Sequence, residues 1–325
     1  MQKLVIDNTL YSILIYMLLN NEWRDSIFVL NNKLDNKFLN NFQKKVKKLY
    51  IFKQYKIKKY YFKYILEYFK LYFFLLKQNN IKIYGNDDLE YFFSFGNDIF
   101  LIEDGLLNYK KKKQSIIEVL KKIIKLKNPF YKSLGYSNSV KKIYLTGLAP
   151  IPKEIKDKVE IINLKNLWSK KSEEEKKEIL DIFGFNERTI SKIKNKKNIL
   201  LTQPLSEDGF ISEKEKIELY KKVIINYLEK DLVIKTHPRE KTDYKKYFPE
   251  IEILNQSFPA ELFDLLDIKF ETAITIFSTA ALNFSKNSKV DFYGTKVHPN
   301  LLKQWGDSEK IMKANKFLNG EPVNE

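Results

Sequence analysis

The chain has 325 residues and sets 58 Lys+Arg against 41 Asp+Glu, for a formal net charge of +17. A hydrophobic fraction of 44% and an aromatic fraction of 14% are too rich for a disordered chain, and at about 100–200 residues per domain the length predicts two domains. The absence of cysteine excludes disulfide frameworks, cysteine zinc sites, iron–sulfur clusters and cysteine nucleophiles, and two histidines, His237 and His298, are too few for a site built on several.

The positive charge is nearly all Lys, with Arg only at Arg24, Arg188 and Arg239. Base and phosphate readers favour the bidentate guanidinium, so a nucleic-acid partner is not expected, and part of the basicity reads as the codon bias of an AT-rich genome. The opening MQKLVID reads as a strand rather than a secretory leader. The apolar run Leu10–Leu19 has about half the length needed to cross a bilayer, and Tyr60–Leu76 is interrupted by Lys63, Glu67 and Lys70. These features predict an intracellular protein, soluble or peripherally membrane-bound.

In chain order, short apolar runs alternate with helical patterns, the signature of parallel sheets with crossover helices. Strands are predicted at Leu4–Ile6, Ser26–Leu30, Leu49–Ile51, Ile81–Tyr84, Ile99–Ile102, Lys142–Leu145 and Val159–Ile162. Between them fall helices at Leu10–Leu19, Phe38–Val46, Lys59–Lys77, Asp87–Phe95 and Gln114–Lys125, and after them Lys170–Phe183, opened by Ser172. A charged run, Lys192–Lys197, precedes a second alternation: strands Ile199–Thr202, Leu232–Lys235, Glu252–Leu254 and Thr272–Phe277, with helices Glu213–Leu228, Ala260–Leu266 and Ala280–Ser285. The expected fold class is therefore α/β, with Rossmann-like domains at residues 1–190 and 191–325 facing a central cleft. No G-x-G-x-x-G or P-loop is present.

The chemistry-bearing residues fall at predicted strand ends. Glu103-Asp104-Gly105 follows one strand, and its paired carboxylates could supply a general base, although Asp-Gly is also an ordinary turn dipeptide. Lys235-Thr236-His237-Pro238-Arg239 ends another, where a histidine among cations could protonate a phosphate oxygen. Ser278-Thr279 opens the last predicted helix, where hydroxyls, free N–H groups and the macrodipole would cradle a phosphate or simply cap the helix. Gln203-Pro204-Leu205-Ser206-Glu207-Asp208-Gly209 repeats Glu-Asp-Gly after the first strand of the second half. His298-Pro299 lacks a preceding apolar strand, so His298 is expected to be structural or superficial.

In their order along the chain these motifs resemble the bacterial sialyltransferases of the GT-B fold, glycosyltransferase family 52 in particular, which includes lipooligosaccharide sialyltransferases and is related to the polysialyltransferases. Glu103-Asp104-Gly105 matches a D/E-D/E-G motif, His237-Pro238 a His-Pro motif, and Ser278-Thr279 a serine pair that holds the CMP phosphate. Phe258-Pro259-Ala260-Glu261-Leu262-Phe263 is similar to P-x-x-E-V-L, whose Glu takes the ribose hydroxyls, and Asn8-Thr9-Leu10-Tyr11 is similar to the opening loop. Thr279 replaces the second serine, and Thr236 stands where glycine is common.

The resemblance implies an inverting, metal-independent transfer of sialic acid from CMP-sialic acid to galactose or sialic acid on a lipooligosaccharide or capsular glycan. It implies His237 as general acid, a base at Glu103 or Asp208 with Asp104 also placed to approach the acceptor, and CMP contacts from Lys235, Thr236, Pro238, Glu261, Ser278 and Thr279. Asn8, Thr9 and Gly105 would lie on the acceptor side, with no metal ligands and no cofactor beyond the donor. The partners implied are a CMP-sugar donor, an oligosaccharide acceptor and an anionic membrane reached through Lys110–Lys113 and Lys192–Lys197, with a homodimer allowed. The alternatives are another GT-B enzyme using a different nucleotide sugar and a non-enzymatic basic protein.

Overall fold

The computed structural model describes residues 2–53, 57–76, 81–87, 98–109, 132–255, 257–284 and 288–308, and the chain divides into two compact units, Met1–Ile182 and Phe183–Glu325. The predicted helices over 87–95 and 114–125 lie outside the described residues, apart from Asp87.

The first unit is built on a sheet of seven parallel strands, β1 (Gln2–Asp7), β2 (Ile27–Asn31), β3 (Lys48–Phe52), β4 (Ile81–Gly85), β5 (Ile99–Ile102), β6 (Val140–Leu145) and β7 (Val159–Ile161). Their order, β3-β2-β1-β4-β5-β6-β7, reverses direction between β1 and β4. Such a reversal opens a crevice at the carboxyl ends of the strands, where doubly wound sheets bind ligands. Strand β1 is central, and its apolar residues Leu4, Val5 and Ile6 are buried, as a strand covered on both faces requires. Beside it runs helix α1 (Leu10–Leu19), started by the Thr9 hydroxyl, which accepts from the Ser12 amide. Tyr16 of α1 packs edge-on against Phe28 and Tyr84, fixing the helix over β2 and β4.

The second unit carries five parallel strands, β8 (Asn198–Leu201), β9 (Leu232–Lys235), β10 (Glu252–Leu254), β11 (Thr272–Thr275) and β12 (Lys289–Phe292), in the order β10-β9-β8-β11-β12. Here the reversal falls between β8 and β11. Residues 183–190, grouped with the first half by sequence, belong to this unit, because Phe185 is fully buried against Phe258 and Phe263. Strand β12 was not expected; it is a half-buried edge strand with charged Lys289 and Asp291, which breaks the apolar run that marks interior strands. The α/β fold with one doubly wound parallel sheet per unit is the class the alternation implied.

Local chemistry moved several boundaries. The expected helix at 170–183 begins at Glu173, because Ser172 and Glu175 form a reciprocal capping box. The helix at 38–46 runs instead as α2 over Asn36–Gln43, because Asp35 caps it through the Phe38 amide. The segment expected as a helix at 280–285 is a 3₁₀ helix, Thr279–Phe284.

Candidate functional site

In the second unit the three motif loops leave the carboxyl ends of the adjacent strands β9, β8 and β11, so the fold brings together residues 30 to 80 positions apart in the sequence. Gln203 joins two of them, its side-chain oxygen accepting from the Phe277 amide at 3.1 Å. Lys216 joins the others. It lies on the inner face of helix Glu213–Ile224 with no solvent exposure, 2.8 Å from Glu207 and 3.4 Å from Glu240. Glu240 accepts from the His237 amide at 2.7 Å, from the Tyr244 hydroxyl at 2.5 Å and from the Thr202 hydroxyl. Burial opposes ionisation of Glu207, but hydrogen bonds from Lys216 and the Lys241 amide hold its carboxyl down at about 2. A buried ammonium between two carboxylates thus fixes the loops of Ser206-Glu207-Asp208-Gly209 and His237-Pro238-Arg239-Glu240 to one another.

His237 is half-buried, and its Nδ1 accepts from the Arg239 amide at 3.1 Å. Its neutral ring therefore carries the hydrogen on Nε2. Burial, then the Arg239 and Lys235 charges, lower the imidazole to about 4 against the opposing pull of Asp208 and Glu207. In the free protein these effects hold the ring neutral near pH 7, and a negative charge placed beside it would oppose them. Lys235 is buried with its Nζ 4.2 Å from the centroid of the Phe258 ring. Burial lowers its ammonium to about 8, against Glu261 and Glu240, which brings the predicted Glu261 into the same electrostatic neighbourhood. Asp208 is ion-paired with Arg239.

Two predicted ligand contacts are otherwise engaged. The Thr236 hydroxyl is buried and donates to the Leu254 carbonyl at 3.3 Å, while Pro238 is exposed. Ser278 accepts from the Ala280 amide at 3.3 Å and donates its own amide to Thr275 at 2.9 Å; the Thr279 side chain lies outside the described ones. Because the helix that follows is a short 3₁₀ segment, the macrodipole invoked from sequence contributes little, and any anion here depends on hydroxyls and individual N–H groups. His298 follows β12 after one 3₁₀ turn and caps helix Pro299–Trp305, accepting from the Asn300 amide at 3.1 Å; the structural role expected for it holds, although a strand does precede it.

In the first unit the Glu-Asp-Gly motif sits at the end of β5, beside the ends of β1 and β4. Glu103 is fully buried, and both its oxygens accept: from the Thr146 amide at 2.5 Å, the Tyr109 hydroxyl at 2.8 Å, the Thr146 hydroxyl at 2.9 Å and the Tyr11 hydroxyl at 3.2 Å. Burial pushes its carboxyl above the usual range in spite of these bonds. Asp104 is half-buried, accepts from the Asn86 amide group at 2.6 Å and donates its backbone N–H to Asn108 at 2.7 Å. Gly105 adopts φ +87°, a left-handed conformation that suits glycine and turns the chain after the carboxylates. Asn8 is exposed, whereas the Thr9 hydroxyl is spent on Ser12 and Asp7.

Sequence reasoning missed Asp7, Tyr109, Thr146, Lys216 and Glu240, and gave no role of their own to Tyr11 and Gln203 within the motifs that contain them. Asp7 was accessible by the rule that found Glu103, since it ends a strand. Lys216 was accessible as the charged member of an otherwise apolar stripe, Lys216-Tyr220-Val223, at helical spacing. Among the described residues no group of three histidines or carboxylates is arranged to hold a metal ion.

Each of the two doubly wound α/β units has a ligand-binding crevice of its fold class at its strand ends, and the second gathers a histidine, a lysine and hydroxyls there. The family is fixed by sequence: residues 24–301 match the model of glycosyltransferase family 52, and the chain belongs to that family. It is a glycosyltransferase of the sialyltransferase type. An uncharacterised protein of Haemophilus influenzae is 47% identical over 244 residues, 73% of this chain and 77% of that protein. Among solved structures, the UDP-GlcNAc 2-epimerase of Methanocaldococcus jannaschii aligns over 100% of this chain and 94% of its own, at 15% identity and a TM-score of 0.47. Staphylococcus aureus MnaA with UDP aligns over 89% and 79%, at 17% identity and a TM-score of 0.42.

Proposed function

We propose that this glycosyltransferase moves sialic acid from CMP-sialic acid to a hydroxyl of a terminal galactose or sialic acid on a cell-surface glycan, with inversion and without a metal. The observation that carries the reading is His237, held neutral between Lys235 and Arg239 with its Nε2 hydrogen outward from the bonded Nδ1. A CMP phosphate beside it would raise the imidazole pKa, and the resulting imidazolium donates a proton to the phosphate oxygen as CMP leaves. Ser278, Thr279 and neighbouring amides hold the phosphate, and Lys235 neutralises it. Glu261 takes the ribose hydroxyls.

The acceptor's proton goes to a carboxylate. Glu103 is fully buried with both oxygens accepting, and Asp208 is tied to Arg239, which favours half-buried Asp104. The test is release of CMP from CMP-sialic acid with lactose as acceptor, alongside thermal protection by CMP. Protection by UDP in place of CMP would assign a different nucleotide sugar and overturn the reading.

No described helix is long and apolar enough to cross a membrane. The proposed bilayer contact is instead peripheral and lies on helix α3 (Ile57–Leu76), where Phe62, Leu66, Phe69 and Phe73 are 78, 48, 48 and 58% exposed. Their spacing puts them on one face, with Lys63 and Lys70 exposed along its flank, a pattern that suits an anionic interface. Of the basic runs expected from sequence, Lys110–Lys113 lies outside the described residues, while Lys192 is paired with Glu252 and Lys197 with Glu271. Vesicles containing phosphatidylserine should sediment the protein at low salt, and Phe62→Ser with Phe69→Ser should abolish this without changing lactose sialylation. Unchanged sedimentation of that double variant would remove the assignment to α3.

A further inference from the structure

Asp7 is the last residue of β1 and is 1% exposed. Its Oδ1 accepts from the Asn8 amide at 2.7 Å, the Thr9 amide at 2.9 Å and the Thr9 hydroxyl at 3.2 Å, which fixes the turn into α1. Its Oδ2 is equally buried and has no hydrogen-bond partner among the described residues. That turn needs only Oδ1 and leaves Oδ2, a costly group to bury without a partner, unused.

The neighbouring strand is shaped around this group. Gly85 of β4 pairs with Ile6, and a Cβ there would lie 2.0 Å from the Ile6 carbonyl oxygen and 3.2 Å from Asp7 Oδ2. With φ +127°, the position admits glycine and lets β4 run against the carboxylate. Asn86, the next residue, holds Asp104. All of this lies where the strand order reverses between β1 and β4. The Asp104 charge also acts on Asp7: burial first, then that charge, push the Asp7 carboxyl up to about 7.

We infer that Asp7 and Asp104, gathered at Gly85-Asn86, form a coupled carboxylate pair for the acceptor hydroxyl, in which Asp104 touches the hydroxyl and Asp7 is a positioning residue acting through Asp104. The inference rests on the transferase reading above. As the acceptor oxygen bonds to the anomeric carbon of the donor, its O–H bond breaks and the proton passes to the pair. The electron pair of the cleaved carbon–oxygen bond leaves with CMP. Two neighbouring carboxylates resist full ionisation, so a fully ionised pair binds a proton more readily than an isolated carboxylate.

The test is Asp7→Asn, which keeps the Oδ1 acceptor and puts an N–H donor where Oδ2 stands. Turnover should fall by about 10²-fold with the KM for the donor unchanged, and the acid limb of the rate profile should move to lower pH, a shift that a merely structural role would not produce. Wild-type turnover and an unmoved acid limb in the folded variant overturn the proposal. A second measurement does not depend on transfer. Asp7 is raised from 3.8 to about 7 on folding, so the stability it contributes is present below 3.8 and is lost as pH rises through about 7. Asp7→Asn should remove that decline and Asp104→Asn should move it to lower pH. A decline identical in all three proteins sinks the pair, whereas an inactive wild type that still shows the variant-dependent decline sinks only the transferase reading.

Discussion

The strand ends of the two units solve opposite electrostatic problems. In the second, carboxylates are matched by cations: Lys216 with Glu207 and Glu240, and Arg239 with Asp208. In the first, Glu103 and Asp7 are buried against hydroxyls and backbone amides, and Asp104 against the Asn86 side chain. Matching with full charges keeps carboxylates ionised and loops rigid, which suits holding a polyanionic donor. Burial without a matching cation pushes the Glu103 and Asp7 carboxyls up in spite of their hydrogen bonds, which suits taking a proton from a hydroxyl. The Glu-Asp-Gly motif occurs in both units, yet its first carboxylate is a salt-bridge partner in one and a neutral-donor hub in the other.

The largest expected effect that would break this comparison concerns His237. Replacement by Ala should lower turnover by about 10²–10⁴-fold with CMP affinity largely kept, as a steady-state assay beside calorimetry would show. Near-normal turnover would leave the cationic cluster without its proton donor. Next comes Lys216→Met, which strands Glu207 and Glu240 in a buried setting. Breaking such a group costs about 3–5 kcal/mol, to be read by denaturant unfolding, and adding Glu240→Gln should restore part of the loss. Unchanged stability would mean that the loops are held by other contacts. A smaller loss, about 1–3 kcal/mol, is expected for Glu103→Gln, which turns an amide N–H toward the Thr146 and Tyr109 donors. If that variant keeps wild-type stability but loses turnover, Glu103 rather than Asp104 is the base.

The parallel sheets were legible because interior strands are continuous apolar runs. Eleven of the twelve strands coincide with predicted ones, the edge strand β7 among them although Glu160 interrupts it, and β12, interrupted by Asp291, escaped. Strand ends likewise exposed the three motifs. What the sequence could not display is how each motif residue is satisfied. Thr236 and Glu103 look like ligand groups in a linear string, but the Leu254 carbonyl and the Thr146 hydroxyl, which occupy them, lie 18 and 43 residues away in the sequence. The 3₁₀ character of Thr279–Phe284 was hidden for a related reason: the segment has good helix formers, and its geometry is set by the turn in which Thr275 accepts from the Ser278 amide.

The smallest effect sharpens the contrast by proton counting. His237 is held at about 4, below its ordinary 6.5, chiefly by burial and then by Arg239 and Lys235. A bound phosphate adds negative charge beside the ring and moves its pKa back up, so nucleotide binding should take up a proton between those two values. By linkage, CMP affinity should rise as pH falls through that window, until protonation of CMP itself intervenes. Calorimetry near pH 5.5 in buffers of different ionisation enthalpy measures the uptake directly, and His237→Ala supplies the baseline for CMP's own titration. The wild type should bind a fraction of a proton more than the variant. The Asp7→Asn protein should match the wild type in this experiment, because the proposed mechanism gives the carboxylates of the first unit the acceptor's proton and not the donor's. Equal uptake by wild type and His237→Ala would place the donor phosphate away from the imidazole, and altered uptake in Asp7→Asn would erase the division of labour between the two sets of strand ends.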